Sequence, residues 1–256
     1  MKTGKVRADQ LLADLGLAES RERAKRLIMA GQVFEEKNGT RVPVDKPGQL
    51  LAAHCQLYIK ESERFVSRGA YKLLTALTHF SLDVGGLVAL DAGASTGGFT
   101  DCLLQHGAAR VYAVDVGYGQ LHPRLRGDSR VVCLERVNLR LAPPELIPEP
   151  VDLVVADVSF ISLKMILPPC LQWLKPGGHI VALIKPQFEL GPAGTDRGVV
   201  RDEADRQRAV DDVLAFARDT LGLEALGVVP AQIKGPKGNQ EYLAYFCQSG
   251  ALLNSD

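Results

Sequence analysis

The chain has 256 residues, 46% apolar and 23% charged, which excludes disordered and collagen-like classes and allows one large or two smaller domains with a real core. Its formal net charge is zero, but residues 1–72 carry 14 Lys+Arg against 9 Asp+Glu, while residues 73–256 carry 16 against 21. A nucleic-acid partner would therefore meet the front of the chain, because phosphate is neutralised by local charge and not by the average.

In chain order, Met1-Lys2-Thr3-Gly4-Lys5 leads into a charged amphipathic stretch without an apolar signal region, and nowhere do 18 uncharged apolar residues run together. The expectation is a cytoplasmic protein with no membrane partner. Leu11, Leu12, Leu15 and Leu17 supply an apolar helical face. Ser20 is an N-cap for a second helix that carries Arg21, Arg23, Lys25 and Arg26 and stops at Gly31. Val33-Phe34, a polar turn at Lys37-Asn38-Gly39 and an alternating strand Gln56–Lys60 complete a small α+β unit. The boundary falls in Lys60-Glu61-Ser62-Glu63-Arg64, giving a binding module over 1–62 and a larger domain over 63–250.

That domain opens with a helix, Arg68 through Leu77, and continues with aliphatic strands at 87–91, 111–115, 131–134, 151–157 and 179–185 separated by helical segments. Near-continuous apolar strands are those buried on both faces, so the pattern predicts a Rossmann-like, mostly parallel α/β sheet of seven strands. A long helix at about 203–221 precedes strands at 226–229 and 241–246. The loop between these two is too short for a crossover helix, so if adjacent they pair antiparallel, and the sheet is expected to end with one antiparallel strand.

The strand at 87–91 runs into Asp91-Ala92-Gly93-Ala94-Ser95-Thr96-Gly97-Gly98-Phe99-Thr100, a glycine turn that opens a helix. Such a turn lets backbone approach a ligand at the topological switch point. Three residues separate Gly93 from Gly97 and no Walker lysine follows, which disfavours dinucleotides and ATP. Asp115 ends the next strand, where a carboxylate accepts from ribose hydroxyls, and Asn138 could meet an adenine edge. The five cysteines, Cys55, Cys102, Cys133, Cys170 and Cys247, form no C-x-x-C pair, so neither a metal site nor a disulfide framework is expected.

Two resemblances join these features. Arg7–Leu12, Leu17–Ala24 and Leu27–Val33 are similar to the alpha-L RNA-binding motif, which implies that Arg21, Arg23, Lys25 and Arg26 face RNA phosphates. Ser67-Arg68-Gly69-Ala70-Tyr71-Lys72-Leu73, the loop after Asp91, Asp157-Val158-Ser159-Phe160-Ile161-Ser162 and Lys185-Pro186-Gln187-Phe188-Glu189 resemble the TlyA (hemolysin A) branch of the FtsJ-related ribosomal RNA 2'-O-methyltransferases. The resemblance implies S-adenosylmethionine held by Asp91, Gly93, Ala94, Ser95, Thr96, Gly97, Gly98, Phe99, Asp115 and Asn138. It also implies a Lys72-Asp157-Lys185-Glu241 tetrad that methylates cytidine ribose in ribosomal RNA or subunits.

The chemistry fits those residue types. Methyl transfer to a 2'-hydroxyl needs a positioned base, and a lysine, with its ordinary pKa of about 10.4, serves only when its surroundings favour the neutral amine. Lys185 is the candidate base or alkoxide stabiliser, Asp157 its orienting partner, and Lys72 and Glu241 position the ribose. The glycine-rich loop from Pro186 to Arg201 is expected to close over RNA. Base methylation is the closest rival, although Asp157-Val158-Ser159-Phe160 is neither an N/D-P-P-Y-type loop nor a cysteine nucleophile. A binding-only assembly factor need not keep the four tetrad positions, and a pore-forming hemolysin would need an insertable span that is absent here.

Overall fold

A computed structural model describes residues 4–60, 63–191 and 194–248. The chain divides into two compact units, Met1–Arg64 and Phe65–Asp256. Glu61 and Ser62, where the boundary was expected, and the expected domain end at residue 250 lie outside the described residues.

In the first unit, β1 (Lys5–Arg7) leads into α1 (Ala8–Asp14) and α2 (Arg21–Met29). The strands β2 (Val33–Lys37), β3 (Thr40–Pro43), β4 (Leu50–Ala52) and β5 (Leu57–Ile59) follow. β1 pairs antiparallel with β4, and β3-β2-β5 form an antiparallel sheet. The Ser20 hydroxyl accepts from the Arg23 amide, satisfying one unpaired donor at the start of α2. Asn38 and Gly39 both have positive φ, the geometry that a two-residue hairpin turn demands. Leu11, Leu12, Leu27, Ile28, Val33 and Leu57 make the core. The expected four-leucine face is corrected here: Leu15 and Leu17 are exposed because α1 ends at Asp14 and both fall in the turn beyond it.

The second unit begins with α3 (Ala70–His79), β6 (Val88–Ala92), α4 (Gly98–Gln105), β7 (Arg110–Asp115) and the short α5 (Pro123–Arg126). It continues with β8 (Val131–Glu135), β9 (Val151–Ala156), α6 (Leu167–Cys170), β10 (Leu174–Ile184) and α7 (Pro186–Glu189). It closes with α8 (Glu203–Leu221), β11 (Leu223–Pro230) and β12 (Tyr242–Gln248). The strands form one sheet in the order β11-β12-β10-β9-β6-β7-β8. Alternate residues feed two cores, as a doubly covered sheet requires. Val181, Leu183, Leu153 and Val155 meet Leu73 and Leu103 on one face, while Ile180, Ile184 and Val154 meet Trp173, Val210 and Val213 on the other.

The antiparallel strand is last in the chain but not at the sheet edge. β12 inserts between β10 and β11 and is antiparallel to both. This position has a chemical consequence. The β10–β12 register ends at Ile184 opposite Tyr242, so the next residue beyond that pair on each strand is Lys185 on one and Glu241 on the other. A parallel strand would have put Glu241 at the opposite edge of the sheet.

Candidate active site

The chain leaves β6 and returns as β9 on its other side, which places the switch point between these two strands. Their carboxyl ends are tied by the Asp157 amide donating to the Ala92 carbonyl at 3.1 Å. The loop after β6 needs its glycines. Gly93 has φ +87°, and a Cβ there would sit 2.9 Å from the Asp157 carbonyl oxygen. Gly97, at φ +92°, is the left-handed residue that turns the loop into α4.

Three carboxylates shape this loop. Asp115 accepts from the Ser95 amide at 2.8 Å and from the Gly117 amide at 2.6 Å. Asp91 is fully buried; one oxygen accepts from the Thr100 amide and hydroxyl at 2.9 and 2.7 Å, whereas Oδ1 has no partner among the described residues. Burial pushes the Asp91 carboxyl up to about 7, with the Asp157 and Asp115 charges adding to the rise and the Thr100 bonds opposing it. Asp157 is the third, at the end of β9.

Two cavities meet at this edge. One, about 450 Å³, is lined by Gly93, Ser95, Asp115, Val116, Asn138 and Asp157, a size suited to a small cofactor. The other, about 190 Å³, is lined by Lys72, Gly93, Gly98, Asp157, Ser159 and Lys185; Gly93, Ser95, Asp157 and Ser159 belong to both. The orphaned Asp91 oxygen, the glycine that admits no Cβ and the carboxylates fit a cationic nucleoside such as S-adenosylmethionine. Asp115 suits its ribose, and Val116 and Asn138 suit its adenine. Ala94, Thr96 and Phe99 line the smaller chamber, although Phe99 is buried and the Asn138 side chain accepts from the Arg140 amide. Among the described residues no group of three His, Cys, Asp or Glu is placed to hold a metal ion.

The tetrad is brought together as two ion pairs. Lys185 Nζ lies 2.6 Å from Asp157 Oδ1 and donates to Ser159 Oγ at 2.9 Å. Lys72 Nζ donates to Glu241 Oε2 at 2.5 Å, and Gln187 Nε2 donates to Glu241 Oε1 at 3.2 Å. Glu241 is fully buried and is coupled to the chamber through Lys72, which lines it. Ser159 and Gln187 lie inside the two motifs noted in the sequence, but nothing in their spacing showed which side chains they would meet.

The basic residues of α2 belong to the first unit. Arg21 pairs with the buried Asp9 at 3.3 Å and Lys25 with Glu22 at 2.6 Å; Arg23 and Arg26 are exposed and form no ion pair among the described residues. In the loop expected to close over RNA, Pro192 and Ala193 lie outside the described residues. Its later part is anchored, because Asn239 accepts from the Val200 amide and donates to the Gly198 carbonyl.

A sheet with one inserted antiparallel strand, a glycine loop at its switch point and a carboxylate ending the next strand define a Rossmann-like, S-adenosylmethionine-dependent methyltransferase. The chain belongs to the FtsJ-like methyltransferase family, whose model matches residues 65–247, and residues 6–34 match the S4 domain. It is similar to the 16S/23S rRNA (cytidine-2'-O)-methyltransferase TlyA of Mycobacterium tuberculosis, 47% identical over 94% of this chain and 89% of that one. It is also similar to Hemolysin A of Brachyspira hyodysenteriae, 38% identical over 94% of this chain and 99% of that protein. A solved Streptococcus thermophilus protein with a provisional hemolysin label is 44% identical, with a TM-score of 0.71 over 96% of this chain and 90% of its own. Among the described residues no helix is long and apolar enough to cross a membrane.

Proposed function

We propose that this protein methylates the 2'-hydroxyl of cytidine in ribosomal RNA, within naked RNA or a ribosomal subunit, in the cytoplasm. The observation that carries the reading is the Lys185–Asp157 pair at 2.6 Å in the chamber that adjoins the cofactor cavity. S-adenosylmethionine, when bound, supplies an electrophilic methyl group. The protein does the rest. The loop Asp91–Phe99 holds the amino-acid end of the cofactor, with Asp115 at its ribose and Asn138 at its adenine. Lys185 takes the proton from the 2'-hydroxyl or steadies the alkoxide, and Asp157 orients it. Lys72, held by Glu241, positions the ribose.

Arg21, Arg23, Lys25 and Arg26 on α2 supply phosphate contacts, with Arg23 and Arg26 the readiest, since neither has to leave an ion pair among the described residues. None of the five cysteines is in a disulfide, which fits a reducing compartment.

The test is methyl transfer from labelled S-adenosylmethionine to subunits and naked ribosomal RNA, followed by nucleoside digestion. Recovery of label as 2'-O-methylcytidine, lost in Lys185→Ala, is the expected result. Label on a base, or unchanged turnover in the variant, overturns the reading.

A further inference from the structure

A neutral lysine amine has two N–H bonds and one lone pair, and a base is useful only if the lone pair faces the proton it must take. Asp157 Oδ1 lies 2.6 Å from Lys185 Nζ, close enough for an ion pair but without a directed hydrogen bond. The directed N–H bond of Lys185 goes to Ser159 Oγ, at 2.9 Å. With Asp157 alone the amine could still turn about its Cε–Nζ bond and exchange the second N–H for the lone pair.

Ser159 is not simply a surface loop serine that strays near the lysine. The segment that follows β10 grips the segment that follows β9 at successive points. Phe188 lies 5.1 Å from the Phe160 ring, and Glu189 accepts from Ser162 Oγ at 2.5 Å and the Leu163 amide at 2.9 Å. Phe160 itself has φ +64°, a conformation uncommon for an aromatic residue. Contacts from the segment that starts at Lys185 thus hold the stretch that carries Ser159 beside the lysine.

We propose that Ser159 is a positioning residue for methyl transfer: its hydroxyl accepts one N–H of the Lys185 amine and, with the Asp157 carboxylate alongside, fixes the rotation of the head group so that the lone pair is left for the target hydroxyl. The proposal rests on Lys185 acting as the base. It predicts a defect in turnover without a defect in binding, although Ser159 also lines the cofactor cavity.

The experiment compares Ser159→Ala, Ser159→Thr and Lys185→Ala in the full chain. It measures kcat and KM for RNA, and the Kd for S-adenosylmethionine by calorimetry. One hydrogen bond of this kind corresponds to a drop in kcat of about three- to tenfold. The expected result is that drop in Ser159→Ala with KM and Kd unchanged, and recovery in Ser159→Thr, which keeps the hydroxyl. Wild-type kcat in Ser159→Ala beside an inactive Lys185→Ala removes Ser159 from the mechanism and leaves the base assignment standing. A weaker Kd that accounts for the lost turnover makes Ser159 a cofactor contact and overturns the proposal. Full turnover in Lys185→Ala removes the base reading and this proposal with it. If Ser159→Ala melts early, Ser159→Gly provides a second hydroxyl-free variant.

Discussion

Glu241→Ala separates what the Lys72–Glu241 pair does for stability from what it does for turnover. Glu241 is fully buried, and the Lys72 side chain is only 11% exposed, so removing the carboxylate strands an ammonium group with little water to replace its partner. Gln187 loses its acceptor as well. Breaking a buried pair from one side costs about 3–5 kcal/mol. For a unit the size of Phe65–Asp256, at roughly 2–4 °C per kcal/mol, the melting temperature should fall by about 6–20 °C. Removing both charges tells the two roles apart. Lys72→Met/Glu241→Leu leaves no unpaired charge and should recover most of that loss, as replaced buried pairs often do, without recovering methyl transfer. Scanning calorimetry of the full chain, read beside labelled-methyl turnover, is the assay. A Glu241→Ala melt within about 1 °C of wild type, or a double variant no more stable than the single, would refute the reasoning.

Three further outcomes follow from the same geometry. Gly93→Ala forces a side chain into a left-handed residue, at a cost of roughly 1–2 kcal/mol, and against the Asp157 carbonyl, so calorimetry should show S-adenosylmethionine binding at least tenfold weaker; unchanged affinity would contradict the close approach. Asp91 has its carboxyl raised from its ordinary 3.8 to about 7, so its ionised form is disfavoured by folding. Wild-type stability should therefore fall as pH rises through that window, by at most about 4 kcal/mol, and Asp91→Asn should lose least, relative to wild type, on the alkaline side; a pH-independent difference in melting temperature would argue against a raised carboxyl. Arg23→Ala/Arg26→Ala should weaken RNA binding and flatten the dependence of log affinity on log salt by about 1.4 for single-stranded RNA, and an unaltered slope would take α2 off the RNA surface.

How much of this was legible in the sequence depended on whether the signal was local. The helix at 203–221 was readable because its determinants are close by: Asp202 caps its start by accepting from the Ala204 amide, and Gly222 ends it in a left-handed turn. The parallel strands were readable as unbroken aliphatic runs, and the glycine loop because Gly93 and Gly97 sit where positive φ is needed. The three-residue β1 and β4 escaped notice, since a strand that short has no periodicity and exists only through its partner. Leu15 and Leu17 were misplaced for a related reason: leucine spacing suggested a face that the helix was too short to present.

By itself the sequence determined the class of fold and marked the glycine loop, both carried by runs of neighbouring residues, while the four charged candidates came from its family resemblance. Only the tertiary structure decided that β12 lies between β10 and β11, and so that Glu241 reaches Lys72 from 169 positions away while Lys185 turns to Asp157 and Ser159. Which cation pairs with which carboxylate depends on strand order and register, and these are settled by burying both faces of the whole sheet at once, a condition no single segment of sequence contains.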